Sequence, residues 1–123
     1  MYRDEENDIL TSEFEGMSVV TLRGEWDVSS REQLRTALHS VGVDRGVVVD
    51  LRQASFFDST ALAELIALYK RLNGAGHRVE ALVGDSNMRR LLELTSLDGL
   101  FGVSSERAEY LGERLPAPAW PAA

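Results

Sequence analysis

The residues best suited to chemistry form one short run, Asp58-Ser59-Thr60, directly after Phe56 and Phe57. A carboxylate beside two hydroxyls is a common helix start, because these oxygens accept hydrogen bonds from the free N–H groups of the first turn. The same position suits a regulatory phosphorylation, since a phosphate on Ser59 would lie at the positive end of the helix. That modification adds about −1.5 to −2 charges at neutral pH. The local sequence therefore leaves two interpretations of Ser59 open, part of a helix cap or a charge-controlled switch.

A buried strand and a helix position this run. The strand is predicted from the branched apolar residues Val47-Val48-Val49, which end at Asp50-Leu51. An uninterrupted apolar run of this kind is typical of a strand that is buried on both faces, as in a parallel sheet. After Thr60, apolar residues recur every three or four positions, which predicts a helix with one buried stripe. That stripe consists of Leu62, Leu65, Ile66, Tyr69 and Leu72.

The opposite face of this helix starts at Ser59 and is expected to be solvated. A partner that recognises the Ser59 hydroxyl would also meet this face, with Ala63 as a candidate contact. The two phenylalanines before Asp58 are interpreted either as core anchors or as partner contacts, with Phe57 as the candidate. The solvated face comprises Ala63, Glu64, Ala67 and Lys70.

The remaining chain alternates strands and helices in the order β-β-α-β-α-β-α-β-α. The first two strands, 9–15 and 17–23, are predicted to form a hairpin through Glu15-Gly16. Gly24 to Ser30 is predicted to be a loop, and Ser29 with Glu32, or Ser30 with Gln33, fits a helix capping box. The last strand is predicted at Leu100–Val103 and the last helix at 104–115.

Helices between strands require crossover connections, and these connections favour parallel strands. The predicted fold class is therefore α/β, with a mixed, largely parallel sheet of four to five strands packed with about four helices. Residues 1–8 are expected to be flexible, and residues 9–115 are expected to form one domain. The segment 116–123, rich in proline and alanine, is expected to be disordered, with Trp120 exposed and without a contact.

Composition excludes several classes of function. The 123 residues carry 13 basic and 20 acidic side chains, a net charge of −7, which disfavours nucleic acid and anionic membranes as partners. There is no cysteine, and neither His39 nor His77 lies in a catalytic or metal-binding motif. No run approaches the roughly 20 apolar residues of a membrane span. We therefore predict a cytoplasmic binding protein that is not an enzyme and has no cofactor.

Three blocks of the sequence resemble the STAS family, and most closely its bacterial anti-sigma-factor antagonists. Gly24-Glu25-Trp26-Asp27 is similar to the family's acidic loop after the second strand. The most specific block is the strand Val47–Leu51 followed by Phe56-Phe57-Asp58-Ser59-Thr60. Leu94–Phe101 is similar to the segment that enters the family's last strand. The resemblance covers about residues 9–113.

The resemblance implies a partner-switching cycle. An unphosphorylated antagonist binds an anti-sigma factor, which is itself a serine kinase, and so frees the sigma factor. The kinase phosphorylates the first hydroxyl after the motif aspartate, here Ser59, which ends binding until a separate phosphatase resets the antagonist. Asp27 and Asp58 match acidic positions that flank the phosphoserine, and Thr60 and Ala61 complete the implied partner-binding site.

This chain departs from the family pattern at two positions. Ala61 stands where the family commonly has glycine, and its methyl group could obstruct the backbone of a partner. Trp26 replaces a smaller aliphatic residue, either as core filling or as a contact.

Three hypotheses follow. The first is a phosphorylatable antagonist that is switched at Ser59. The second is a STAS scaffold subunit of a larger signalling or transport-associated complex, without the switch. The third is an unrelated small α/β enzyme, for which the sequence offers no supporting constellation. Phosphorylation separates the first from the second, and substrate turnover would support the third.

Overall fold

The computed structural model describes residues 7–84 and 87–121. The predictions of flexibility for residues 1–6, of a turn at Asp85-Ser86 and of disorder at residues 122–123 lie outside the described residues. Asp8 was expected to be flexible, but it begins the first strand, where its carboxylate forms an ion pair with Arg23. Within the described residues, no helix is long and apolar enough to cross a membrane.

The first two strands form the predicted hairpin. Strand β1 (Asp8–Phe14) pairs antiparallel with β2 (Met17–Trp26), and the turn places Glu15 and Gly16 at positive φ, +48° and +81°. Two consecutive residues at positive φ are typical of the tight hairpin turn whose twist matches that of the strands. Strand β2 is longer than predicted, because Gly24 to Trp26 continue the pairing with the next strand rather than forming a loop.

The remaining strands are parallel to β2. Strand β3 (Val47–Phe57) pairs with β2, and β4 (Val79–Leu82) pairs with β3, which gives the sheet order β1-β2-β3-β4. Over residues 7–84 and 87–121, this mixed, mostly parallel sheet of four strands with four α-helices confirms the predicted fold class. The helices are α1 (Arg31–Ser40), α2 (Ser59–Gly74), α3 (Asn87–Leu94) and α4 (Glu106–Arg114).

The helices cover the sheet from both sides. The larger core lies between the sheet and helices α1, α2 and α3, and includes Leu34, Leu65 and Leu92. A smaller core lies on the other face, where Ala108 and Leu111 of α4 pack with residues of β2 and β3. The alternation of strands and helices along the sequence thus produces three layers, and the central sheet is buried on both sides.

The predicted fifth strand at Leu100–Val103 is wrong. These residues form turns, and Gly102 has a φ of +58°, which interrupts an extended conformation. One hydrogen bond remains strand-like, because the Phe101 carbonyl accepts from the Ala81 amide of β4 at 2.9 Å. Phe101 is nevertheless fully buried, so this residue belongs to the core without forming a strand.

The segment after α4 was predicted to be disordered. Residues 116–121 have no helix or strand, as expected, but Trp120 is half-buried and contacts the sheet. Its indole Nε1 donates a hydrogen bond to Oε1 of Gln53 at 2.8 Å, and the Arg23 guanidinium lies 4.5 Å from the ring centre. The prediction of an exposed Trp120 without contacts is therefore corrected.

Candidate functional site

The candidate site lies where two parallel strands end side by side. Trp26 and Phe57, the last residues of β2 and β3, are register partners. The Asp58 amide donates to the Trp26 carbonyl at 3.1 Å, which ties the two strand ends together. Asp27 and Asp58 therefore leave neighbouring strands at the same edge of the sheet. Two acidic residues that are 31 positions apart in sequence thus follow neighbouring strand ends.

Asp27 stabilises the turn that leads into α1. Its Oδ1 accepts hydrogen bonds from the Ser29 amide at 3.0 Å and the Ser29 hydroxyl at 2.6 Å. These bonds favour the ionised carboxylate and hold the pKa of Asp27 below its usual value. The Ser30 hydroxyl in turn accepts from the Asp27 amide at 3.0 Å, which completes a capping box. The box starts at Asp27, so the predicted boxes at Ser29 and Ser30 are wrong.

Asp58 caps the central helix, as one of the two initial interpretations proposed. Its Oδ1 accepts a hydrogen bond from the Ala61 amide at 3.0 Å, and its backbone is extended, with φ −93° and ψ −177°. The cap satisfies one of the free donors of the first turn and is worth about 1 kcal/mol. Because Asp58 supplies the capping oxygen, the neighbouring hydroxyls are not needed for the cap.

Ser59 is the first residue of α2, and its side chain is exposed. Within the residues that the structure describes, no hydrogen bond engages its hydroxyl. The hydroxyl is therefore exposed to solvent at the positive end of a 16-residue helix, directly after Asp58 at the end of β3. Thr60, the second hydroxyl, is half-buried and so less accessible than Ser59.

The exposed face of α2 continues directly from Ser59. Ala63, Ala67 and Lys70 are exposed, at the four-residue and three-residue spacing of one helix face. Small side chains on this face leave the helix backbone accessible to close approach. The expected solvated face is therefore present, with the exception of Glu64.

Two of the predicted partner-binding residues are buried. Phe57 is 2% exposed and Ala61 is 0% exposed, and both belong to the larger core. A partner cannot reach either side chain in this structure, so the prediction of direct contacts through Phe57 and Ala61 is corrected. The methyl group of Ala61 consequently presents no obstacle to a partner's backbone. Trp26, left open between core and contact, is also fully buried.

Comparison with known proteins assigns the chain to a family. A family model described as "Mlab, STAS domain" matches residues 10–103. The chain belongs to the STAS domain family. A STAS-domain-containing protein of Pseudomonas aeruginosa is 28% identical over 86 residues, which is 69% of this chain and 85% of that protein. The resemblance inferred from the three sequence blocks is thereby confirmed.

Solved structures support the same assignment. A crystal structure of an anti-sigma factor antagonist from Mycobacterium paratuberculosis aligns with a TM-score of 0.74 and 27% identity, over 88% of this chain and 93% of that one. The phosphorylated form of SpoIIAA from Bacillus aligns with a TM-score of 0.60 and 20% identity, over 87% of this chain and 100% of that one. At that lower identity the second alignment shows a shared fold.

Sequence reasoning chose Phe57 over Phe56 as the candidate contact of this STAS domain and did not consider Val28, although Phe56 and Val28 are the exposed residues. Phe56 is 49% exposed, and Val28, next to Asp27, is 70% exposed. The strand period contained the signal for Phe56. Successive side chains of a strand point to opposite faces, so Phe56 and Phe57 cannot both enter the same core. Phe56, rather than Phe57, is the exposed ring near the end of β3.

A buried ion pair lies one turn beyond Ser59. Glu64 was expected to be solvated, but it is 6% exposed, and its carboxylate meets Arg31 at 3.1 Å and Arg35 at 3.3 Å. Burial by itself would raise the pKa of Glu64, but the hydrogen bonds from the two arginines outweigh it and hold the pKa below its usual value. The pair connects α1 with α2 beneath the exposed face.

The described residues contain no group of three or more histidine, cysteine or acidic side chains arranged to hold a metal ion. Asp27 and Asp58 are each engaged by backbone N–H donors, which suits a structural role for both carboxylates. What the arrangement offers chemically is the exposed hydroxyl of Ser59, directly after Asp58 and before the half-buried Thr60.

Proposed function

We propose that this STAS domain is an anti-sigma-factor antagonist whose binding to an anti-sigma serine kinase ends when Ser59 is phosphorylated. The observation that carries the proposal is the exposed, unengaged hydroxyl of Ser59 at the start of α2, directly after Asp58 and at the sheet edge where Asp27 follows the end of β2. The anti-sigma factor antagonist from Mycobacterium paratuberculosis, at 27% identity over most of both chains, supports this class of function.

The proposed docking surface consists of residues exposed around Ser59. Phe56 near the end of β3 and Val28 after the end of β2 supply exposed apolar area, and Ala63 and Ala67 supply exposed small side chains along α2. Small residues along the helix would let a partner approach closely, while Phe56 would act as an aromatic anchor of the kind that dominates binding energy. Thr60 contributes at most its exposed atoms, because it is half-buried.

The phosphate would act on the partner rather than on the fold. It would place about −1.5 to −2 charges on a surface that already carries Asp27 and Asp58, so an acidic partner group would be repelled and a close contact would be blocked. No hydrogen bond of the described residues depends on the Ser59 hydroxyl, and the helix cap is supplied by Asp58. The N-terminus of α2 also tolerates added negative charge.

The proposed cycle requires two protein partners, the kinase and a phosphatase that removes the phosphate, and places the chain in the cytoplasm as a binding protein without its own catalytic activity. The kinase would transfer the γ-phosphoryl group of ATP to the Ser59 oxygen, with ADP as leaving group and release of the hydroxyl proton. Phosphatase hydrolysis would return the hydroxyl and inorganic phosphate.

The decisive experiment is labelling by the cognate kinase with radioactive ATP, followed by mapping of the modified residue. Unmodified protein should be labelled once, at Ser59, and the phosphorylated form should lose its binding to the kinase. Ser59→Ala should abolish the label and keep the binding, whereas the matched Thr60→Val variant should keep both. Labelling at Thr60 alone, or retained binding by protein phosphorylated at Ser59, would contradict the proposal.

A second candidate is a STAS scaffold subunit of a larger signalling or transport-associated complex. It is favoured by the matching family model, whose description names Mlab rather than an anti-sigma-factor antagonist. A scaffold would use the same exposed surface without a switch. Stable binding to a partner that is unchanged by phosphorylation, with no label at Ser59, would favour this candidate.

A further inference from the structure

A second surface of the molecule is already occupied by the chain itself. Residues 116–121 cross the outer face of the sheet, and Trp120 rests on two neighbouring strands. Its two contacts, Arg23 on β2 and Gln53 on β3, are register partners. The Arg23 guanidinium therefore lies over the indole ring, and the indole N–H group donates a hydrogen bond to the Gln53 side chain. Trp120 thus has a cation–π partner for its ring and a hydrogen-bond acceptor for its N–H group.

The path between the helix and Trp120 is loosely packed. Leu115 leaves α4 with φ −60° and ψ 132°, the polyproline region, and packs against the smaller core. From Pro116 to Ala119, no hydrogen bond to the sheet is made among the described residues. A cavity of about 300 Å³ separates this stretch from the sheet, with Phe14 and Val19 among its apolar walls. Thr21 and Asp50 are among its polar lining residues.

The burial pattern of the segment follows its anchors. Pro118 and Trp120 are half-buried, whereas Ala117, Ala119 and Pro121 are exposed. The segment is thus attached through Leu115 at one end and Trp120 at the other. Between these two attachments it crosses the sheet in the way that a peptide ligand lies in a groove. It does not form a fourth packed layer of the fold.

We propose that the sheet face formed by Arg23, Gln53 and the cavity beside β1 is a docking groove for an extended, proline-containing peptide with a tryptophan anchor. In this structure the groove is occupied in cis by residues 116–121, and a competing peptide of the same chemistry can displace them. The inference is independent of Ser59, which lies at the strand ends on a different surface.

The chemistry of the groove matches that of its present occupant. The segment Pro-Ala-Pro-Ala-Trp-Pro carries no charged side chain, and prolines fix φ so that little entropy is lost on docking. Arg23 already forms an ion pair with Asp8, so it meets the indole as a partly neutralised cation. A neutral peptide with one aromatic anchor fits this face better than an acidic or a basic one.

The test uses the full chain and a synthetic peptide that corresponds to residues 115–121. In the Trp120→Ala variant the cis segment loses its anchor, and the peptide should shift the backbone amide signals of Arg23 and Gln53 saturably in nitrogen-15 NMR spectra. The unmodified chain should require at least about tenfold more peptide, because the attached segment competes at a high effective concentration. Tyr110→Ala, which removes another exposed aromatic ring, should behave like the unmodified chain.

A substitution in the groove, at Gln53, tests the binding site itself. The double variant Gln53→Leu/Trp120→Ala should bind the peptide about three- to tenfold more weakly than Trp120→Ala does, the effect of one hydrogen bond. A peptide with alanine in place of the tryptophan should not bind. The proposal fails if Trp120→Ala and the unmodified chain bind the peptide equally, or if the shifts avoid Arg23 and Gln53. It also fails if sedimentation shows a dimer that Trp120→Ala dissolves, because the segment would then dock on a second copy.

Discussion

The exposed rim of the candidate site and the layer directly beneath it differ in how their side chains are held. The rim comprises Val28, Phe56, Ser59 and Ala63, all of them exposed. The layer beneath comprises Trp26, Phe57, Ala61 and Glu64, all less than 9% exposed and fixed by packing or ion pairs. Neighbours in sequence thus have opposite environments.

In the proposed cycle, this difference would let Ser59 be modified without a change in the fold. A group on the rim can gain a phosphate or lose a side chain without leaving a cavity or an unpaired charge in the core. The layer beneath keeps the helix start and the two strand ends in place while that happens. Matched substitutions, one on the rim and one in the layer beneath, therefore test the comparison directly.

The largest expected effect comes from the two phenylalanines. Phe57→Ala should lower the free energy of unfolding by about 3–5 kcal/mol, because it leaves a cavity in the core. Phe56→Ala should change it by less than about 0.5 kcal/mol and instead weaken partner binding by more than about fivefold. Urea denaturation and binding titrations measure the two quantities. Equal loss of stability in both variants would remove the distinction between rim and layer.

Ser59→Asp should affect binding and leave the fold intact. We expect the cognate kinase to bind about 100-fold more weakly, or about 2.8 kcal/mol, because a charge on the docking surface opposes a partner that fits the free hydroxyl. The free energy of unfolding should stay within about 0.5 kcal/mol, since an acidic residue is favourable in the first turn of a helix. Ser59→Asn is the control, because asparagine has the size of aspartate without its charge. It should retain more binding than Ser59→Asp.

The fold and the helix start that carries Ser59 could be predicted because their signals are local. The alternation of apolar runs with helical stripes predicts the sheet and its helices, and Asp58-Ser59-Thr60 predicts the helix start. Leu100–Val103 was misassigned because a short apolar run identifies burial but not conformation. In the structure, the positive φ of Gly102 interrupts an extended conformation, so these residues form turns and no strand.

Residues that depend on a distant partner could not be assigned from periodicity. Glu64 lies between helical positions that look solvated, and its burial becomes favourable only because Arg31 and Arg35 arrive from another helix. Trp120 belongs to a segment without periodicity, and its contacts with Arg23 and Gln53 come from strands far away in sequence. Long-range contacts of this kind leave no spacing signal along the chain.

Glu64→Gln should have an intermediate effect on stability. The amide keeps the size of the side chain but removes the charge that faces Arg31 and Arg35, so the free energy of unfolding should fall by about 1–3 kcal/mol. The loss stays below that of a fully buried pair, because the arginine side chains are 42% and 43% exposed and can be rehydrated. Glu32→Gln is the matched control. Glu32 is 81% exposed and lies 3.8 Å from Arg35, so its replacement should cost less than about 0.5 kcal/mol.

The smallest effect concerns pH and uses the same pair. The pKa of Glu64 is lower in the folded protein than its ordinary value of 4.5, so the ionised side chain contributes stability above that value. This contribution is lost as the pH falls through the lowered pKa of the folded state. The difference in unfolding free energy between the unmodified chain and Glu64→Gln should therefore be constant near neutral pH and shrink below about pH 4.5. Urea titrations of both proteins at matched pH values measure it. A difference that grows on acidification would mean that burial, rather than the two arginines, dominates the carboxylate, and the layer beneath the rim would then lack the ion pair that joins α1 to α2.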